Sequence, residues 1–142
     1  MQNTLTTIDK TKFIPFSVGF DDLFDRLFEM DVNSSGYPPY NIIKKDDYNY
    51  VIEMAIAGFN KDQIELELAD GELSIKSKIK DLDDNSKKSL IHQGISHRNF
   101  VRKFTLSDEI HIKNAELKDG MLRIKLEKII PDNKKPKLIT IK

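Results

Sequence analysis

Hydrophobic and polar residues alternate along most of the chain. Between residues 39 and 128 the apolar positions recur every second residue, which is the period of a β-strand with one buried face. The runs with this pattern are 48–56, 64–68, 73–79, 100–106 and 122–126, and a shorter predicted strand, 41–44, precedes Asp46-Asp47. Many short strands without long intervening helices predict an all-β, immunoglobulin-like antiparallel β-sandwich.

Turn-forming residues separate these runs. Asp70-Gly71 and Asp119-Gly120 each follow one apolar run and precede another. The Asp-Gly dipeptide readily adopts the positive φ angles of a two-residue hairpin turn. Asp46-Asp47, and Gly58 followed by Asn60, mark two further turns. The sequence therefore predicts that sequential strands pair through tight hairpins.

The first residues follow a different period. A stripe of apolar side chains recurs at helical spacing, with acidic residues opposite it, and comprises Phe20, Leu23, Phe24, Leu27 and Phe28. With Phe13 and Phe16, this places five of the eight phenylalanines within the first 28 residues. A break at 33–36 and Pro38-Pro39 end the pattern. Such an arm packs either on its own domain or against other chains and proteins.

The last residues form a basic segment punctuated by prolines. Pro131 and Pro136 predict an extended tail, because proline disfavours a helix at and before its position. Ile139 and Ile141 point to the same side of an extended chain. We therefore divide the chain into a Phe-rich arm (1–38), a sandwich domain (39–130) and a tail (131–142).

Two features do not fit a simple monomeric sandwich. The polar loop 80–97 is long for a compact domain and contains a short apolar island, Leu90-Ile91. Arg102 falls on the same strand face as Phe100 and Phe104, so its charge needs a partner or an interface. The arginine could also serve to prevent edge-to-edge strand pairing.

Charge and composition exclude several classes. Twenty-three Lys and Arg residues balance 23 Asp and Glu residues, which argues against a nucleic-acid binder. Cysteine is absent, so disulfides, a thiol nucleophile and cysteine-ligated zinc are excluded. Residues 1–38 hold six acids and three bases, whereas 123–142 hold seven bases and two acids. The two ends are either solvated tails or attract each other between chains.

The sequence offers no catalytic or metal-binding constellation. It has no Gly-rich phosphate loop and no G-x-S-x-G motif. His92, His97 and His111 lack metal-ligand spacing, and the loop beginning at Asp81 lacks the glycine and bidentate glutamate of a calcium loop. We expect no metal, no cofactor and no enzymatic activity. With neither a leader-like start nor an apolar run of membrane-span length, we expect a soluble cytoplasmic protein without a membrane span.

Several motifs in order resemble the small heat-shock protein (alpha-crystallin) family. Residues 115–122, Ala-Glu-Leu-Lys-Asp-Gly-Met-Leu, resemble its A-x-x-x-n-G-v-L signature, and Ile139-Thr140-Ile141 resembles its I-x-I anchor. The segments 37–42, 55–59 and 98–104 resemble the bacterial inclusion-body-binding branch. The resemblance covers residues 37–142.

This resemblance implies an ATP-independent holdase chaperone that keeps partly unfolded clients from aggregating and passes them to ATP-dependent refolding chaperones. It implies a homo-oligomer assembled from dimers, with clients bound by the phenylalanines of the arm, Phe13, Phe16, Phe20, Phe24 and Phe28. The dimer contacts that it implies are a loop strand at Leu90, Ile91 and His92 and charge pairs of Arg98 or Arg102. The tail anchor, Ile139 and Ile141, would dock in a groove lined by Ile64, Leu66, Leu68, Ala115 and Leu117.

Two other functions stay open. A non-catalytic co-chaperone-like adaptor could use the same sandwich, although a monomeric adaptor needs neither the arm nor the tail anchor. An enzyme or a carbohydrate-binding sandwich would need a convergent polar set or an aromatic platform. Trp is absent, and the four Tyr residues lie between 37 and 50.

Overall fold

A computed structural model describes residues 17–29, 36–79, 89–95, 97–134 and 136–142. The chain forms two compact units whose boundary in the sequence lies between residues 35 and 36. The first unit contains the helix α1, Asp21–Glu29, at the place predicted from the apolar stripe. Asp21 and Asp22 lie in its first turn, where the helix dipole favours negative charge.

The second unit is an antiparallel β-sandwich, which confirms the predicted fold class. Its strands are β1 (Tyr40–Lys44), β2 (Asn49–Ala55), β3 (Ile64–Ala69), β4 (Glu72–Ser77), β5 (Val101–Thr105), β6 (Ile110–Lys118) and β7 (Met121–Lys128). One sheet has four strands in the order β1-β2-β7-β6, and the other has three in the order β3-β4-β5. Short 3₁₀ helices occur at Lys61–Gln63 and Asp132–Lys134.

The core lies between the two sheets, and its residues come from the alternating positions of the sequence except for Phe59, which lies between two strands. They are Ile52, Met54, Ile56, Phe59, Leu73, Ile75, Phe100, Phe104, Leu122, Ile124 and Leu126. Opposite charges pair on the outer faces, for example Lys78 with Glu65 at 2.7 Å and Arg123 with Glu53 at 3.8 Å. Burial of the inward set supplies the main driving force for folding of the domain.

The two predicted Asp-Gly hairpins are confirmed. Asp70 and Gly71 have φ angles of 50° and 70°, and Asp119 and Gly120 have φ angles of 54° and 75°. Each pair connects strands whose flanking residues face each other, Ala69 with Glu72 and Lys118 with Met121. Two consecutive positive φ angles match the right-handed twist of the paired strands.

Val51 departs from the alternation expected for β2. The pattern places it with Asn49 and Glu53 on the solvent face, yet only 5% of Val51 is exposed. Its cross-strand neighbours are Ile43 of β1 and Lys125 of β7, whose long side chains flank it on both sides. An interior strand of a four-stranded sheet can thus bury a residue on its outer face as well.

The strand β6 was not among the alternating runs, because a β-bulge interrupts its period. Ile112 pairs with Leu126 and Asn114 pairs with Lys125, so Lys113 is an extra residue. The bulge moves the inward face from Ile110 and Ile112 to Ala115 and Leu117, and the apolar positions change parity within the strand.

The tail is not extended throughout, which corrects one expectation. Asp132–Lys134 forms a 3₁₀ turn in which the Lys134 N–H donates to the Pro131 carbonyl at 3.2 Å. Proline is well tolerated at the start of a helical turn, where its missing N–H is not needed. Residues 136–142 carry no regular secondary structure.

Candidate functional site

The predicted groove residues lie on two sheet edges at the same end of the sandwich. The rings of Tyr40 in β1 and Phe104 in β5 are 5.0 Å apart, which places β1 opposite β5. Given the strand orders, the remaining edges β3 and β6 are therefore opposite each other. This is the arrangement that a groove between the two edges requires.

The residues of these edges differ in burial. Ile64, Leu66 and Leu117 are half-buried and pack against the core, as does Ile112 of β6, which the sequence did not single out. Leu68 and Ala115 are exposed. The two edges thus present half-buried apolar side chains. Beside these side chains lie the backbone N–H and C=O groups of the edge strands that point away from the sheets.

The tail anchor is not buried by its own chain. Ile139 is 82% exposed and Ile141 is 94% exposed. Leu138, on the opposite side of an extended chain, is fully exposed as well. The proposed anchor is therefore exposed to solvent, and its contact with the β3 and β6 edges stays a prediction.

The loop island is likewise exposed. Leu90, Ile91 and His92 all face solvent, and the described residues 89–95 of the loop form no strand. A strand that pairs only with a neighbouring subunit would show no partner within a single chain, so the dimer strand stays a prediction. The acidic part of the loop, from Asp81, lies outside the described residues.

The two arginines assigned to the dimer interface contact tyrosines of their own chain. The Arg98 guanidinium carbon lies 4.6 Å from the centroid of the Tyr37 ring, and that of Arg102 lies 5.1 Å from the Tyr40 ring. Both distances suit cation–π attraction. The register of Arg102 opposite Ile75 confirms that it points inward. Pairing across a dimer is not tested by these contacts.

The sequence showed His97 only as one of three histidines without metal-ligand spacing, and its packing contact was missed. The His97 ring lies 5.5 Å from that of Phe59, and its imidazole lies against Gly58, whose φ is 88°. A Cβ at Gly58 would overlap the imidazole. The motif 55–59 contains the glycine, but nothing in the sequence shows which side chain approaches it.

A second missed residue is Glu109, between β5 and β6. Its carboxylate contacts the ammonium groups of Lys128, at 3.4 Å, and Lys134. The hydrogen bond from Lys134 and the positive charges of both lysines hold the pKa of Glu109 below its ordinary value, while burial opposes this. Lys134 belongs to the tail, so this contact joins the domain to the tail.

The helix α1 presents the apolar stripe predicted for client binding. Phe20 is 50% exposed and Leu27 is 47% exposed, and the rings of Phe20 and Phe24 are 6.3 Å apart. Phe13 and Phe16, and the side chain of Phe28, lie outside the described residues. In the described part of the stripe, the aromatic ring of Phe20 is therefore accessible to solvent.

The described residues contain no group of three or more His, Asp or Glu placed to hold a metal ion. Within the same ranges no helix has both the length and the apolar character to cross a bilayer.

Comparisons with known proteins agree with this architecture. Residues 42–142 match the model of the Hsp20/alpha crystallin family. The small heat shock protein IbpA of Escherichia coli is 40% identical over 126 residues, which cover 88% of this chain and 90% of that protein.

Two solved structures are also similar. A C-terminally truncated form of the small heat shock protein AgsA from Salmonella typhimurium superimposes with a TM-score of 0.58 at 30% identity, covering 73% of this chain and 98% of that one. A small heat shock protein from Synechococcus phage S-ShM2 has a TM-score of 0.57 at 41% identity, covering 68% of this chain and 99% of that one. The chain therefore belongs to the Hsp20/alpha crystallin family of small heat shock proteins, a family of chaperones.

Proposed function

We propose that this protein is an ATP-independent holdase, which binds partly unfolded cytoplasmic proteins and prevents their aggregation. It works as a dynamic homo-oligomer built from dimers and passes its clients to ATP-dependent refolding chaperones. One observation carries the proposal: large apolar side chains remain exposed in the segments that precede and follow the sandwich in the sequence. They are Phe20 and Leu27 before it and Ile139 and Ile141 after it.

The helix stripe suits clients without a defined shape. Phenylalanine offers a large apolar area with few rotatable bonds, and a partly unfolded client exposes similar groups. The acidic residues Asp21, Asp22 and Asp25 on the same helix keep the surface hydrated around the stripe. We infer that Phe13, Phe16 and Phe28 extend this surface.

The tail anchor suits a reversible assembly. Burying one isoleucine side chain contributes roughly 1.5–3 kcal/mol. Two give about 3–6 kcal/mol, and the cost of ordering the tail and joining two subunits offsets much of this. A single contact of Ile139 and Ile141 with a β3–β6 groove is therefore weak, whereas many such contacts hold an oligomer that still exchanges subunits.

A client-protection assay tests the proposal. A thermolabile client enzyme is heated in the absence of nucleotide with about one subunit of the full-length protein per client subunit. We expect the client to stay in solution, and light scattering measures its aggregation. Replacing Phe20→Ser and Phe24→Ser together should remove most of this protection, because both rings belong to the stripe. Asp22→Ser, on the opposite face of the same helix, is the matched control and should protect normally.

Two outcomes contradict the proposal. Client scattering that is unchanged by the wild-type protein excludes a holdase. Full protection by the double phenylalanine variant excludes the helix as the client surface. A protein that stays monomeric and gives no protection would instead support the adaptor alternative.

A further inference from the structure

Glu109 joins three groups at the point where the tail begins. Its backbone carbonyl accepts the N–H of Ile129 at 2.8 Å, just after β7 ends. Its carboxylate contacts Lys128 through one oxygen at 3.4 Å and Lys134 through the other. The residue therefore ties the connection before β6 to the last strand and to the tail.

The surroundings of the carboxylate favour its charged form. Only 17% of the Glu109 side chain is exposed, whereas the side chains of Lys128 and Lys134 are 35% and 49% exposed. The charge-assisted hydrogen bond from Lys134 is the main reason that the pKa of Glu109 is lowered. A partly covered carboxylate between two ammonium groups holds both with stronger attraction than a fully solvated pair would have.

The position of Lys134 decides what this contact does. Lys134 closes the 3₁₀ turn Asp132–Lys134, and the first anchor residue, Ile139, follows five positions later. At roughly 3.3–3.6 Å per extended residue, Ile139 reaches about 17 Å beyond a fixed Lys134. The N–H of Ile129 stays bound to the Glu109 carbonyl, and if the segment were free beyond Ile129, the same isoleucine would reach about 35 Å from it.

We propose that Glu109 is a positioning residue for the tail: by holding Lys134 it fixes where the tail leaves the domain and limits which neighbouring grooves Ile139 and Ile141 reach. The inference rests on the proposed docking of the tail. A short tether concentrates the anchor near grooves at a matching distance and excludes more distant ones. The fixed tail therefore restricts the oligomer to a small number of subunit arrangements, and release of Lys134 would allow additional arrangements.

The mobility of the turn tests the contact itself. The chain has no cysteine, so Asn133→Cys in the full-length protein carries a single spin label within the turn. In the Glu109→Gln and Lys134→Gln backgrounds we expect the label to become markedly more mobile by electron paramagnetic resonance. Lys134→Gln leaves the Lys128–Glu109 pair in place, so it tests the tail contact without disturbing the end of β7.

Glu72→Gln is the matched control. It also removes one ion pair, the 3.5 Å contact with Lys103, but in the other sheet and away from the tail. We expect its label mobility to equal that of the wild type. High salt should move the wild-type spectrum toward that of the Lys134→Gln variant, because screening weakens the pair. Equal mobility in all four proteins overturns the proposal.

Native mass spectrometry and subunit exchange test the positioning. Glu109→Gln and Lys134→Gln should broaden the distribution of oligomer sizes and speed subunit exchange several-fold, whereas Glu72→Gln should match the wild type. Increased mobility with an unchanged size distribution also overturns the proposal, because the contact would then not limit the assembly. Normal assembly of an Ile139→Gly, Ile141→Gly variant would contradict the proposed docking itself, a result distinct from unchanged mobility.

Discussion

Gly58 shows how one missing side chain shapes its neighbourhood. Its φ of 88° lies in the left-handed region, and the imidazole of His97 fills the space that a Cβ would take. The same imidazole lies beside the Phe59 ring of the core. The glycine therefore meets two separate requirements, one of backbone conformation and one of space.

We expect Gly58→Ala to lower the free energy of unfolding by about 1–2 kcal/mol for the backbone conformation alone, plus the cost of displacing His97. Chemical denaturation at fixed protein concentration measures the sum. In a His97→Ala background only the backbone cost should remain, so the loss should be smaller. An equal decrease in the free energy of unfolding in the two backgrounds would show that displacing the His97 side chain costs no free energy.

Three carboxylates connect stability to pH. Hydrogen bonds from the Tyr48 backbone and the Asn49 side chain lower the pKa of Asp46, and Lys78 lowers that of Glu65. Lys134 and Lys128 do the same for Glu109. A carboxyl group with a lowered pKa in the folded state stabilises that state above its ordinary pKa, and this contribution is lost as the pH falls.

We therefore expect the melting temperature to be steady near neutral pH and to fall as the pH drops below about 4.5, the ordinary value of the two glutamates. Differential scanning calorimetry between pH 7 and pH 3 measures this. Asp46→Asn removes one titrating group and should flatten the decline. A melting temperature that rises on acidification would contradict the sign of all three shifts.

At the scale of elements, the strand pattern predicted most of the sandwich because alternation follows directly from burial of one face. The exceptions have physical causes in particular residues. The extra Lys113 in β6 shifts the inward face by one position, so no period of two runs through the strand. Val51 lies between Ile43 and Lys125 of the two adjacent strands, and the sequence of a single strand does not reveal such neighbours.

Only some residues of the candidate site could be predicted from the sequence. The I-x-I motif contains Ile139 and Ile141, and the family resemblance implied the edge residues, whereas Glu109 and His97 contact partners far away in the sequence. Lys134 follows Glu109 by 25 positions and His97 follows Gly58 by 39. Such contacts depend on how the loops close, which local pattern and composition do not encode.

The tail provides the sharpest test at this scale. Replacing Ile139→Gly and Ile141→Gly together should reduce the assembly to small units while the sandwich melts normally, because the tail's apolar side chains contribute nothing to the core of their own chain. Light scattering gives the mass and circular dichroism the melting curve.

Leu138→Gly is the matched control, because Leu138 lies on the other side of an extended tail and is fully exposed. It should assemble like the wild type. An unchanged mass for the double isoleucine variant, or an equal loss of mass for the control, would contradict an anchor that requires both isoleucines on one side.

At the scale of the whole molecule, charge is unevenly distributed along the chain. The arm carries more acids than bases and the end of the chain more bases than acids, while the chain as a whole is neutral. The two ends are either solvated separately or attract one another between chains, and salt would screen such an attraction. The exposed apolar groups, in contrast, act only on contact.

The stacking of Arg98 on Tyr37 has a consequence for the whole molecule. Tyr37 lies at the end of the segment predicted as the arm, 1–38, and its ring lies 5.9 Å from that of Phe100 in the core, whereas Arg98 directly follows the long loop 80–97. The contact joins the residue that follows the loop to the segment that precedes β1, so a substitution at either Arg98 or Tyr37 removes a contact of both.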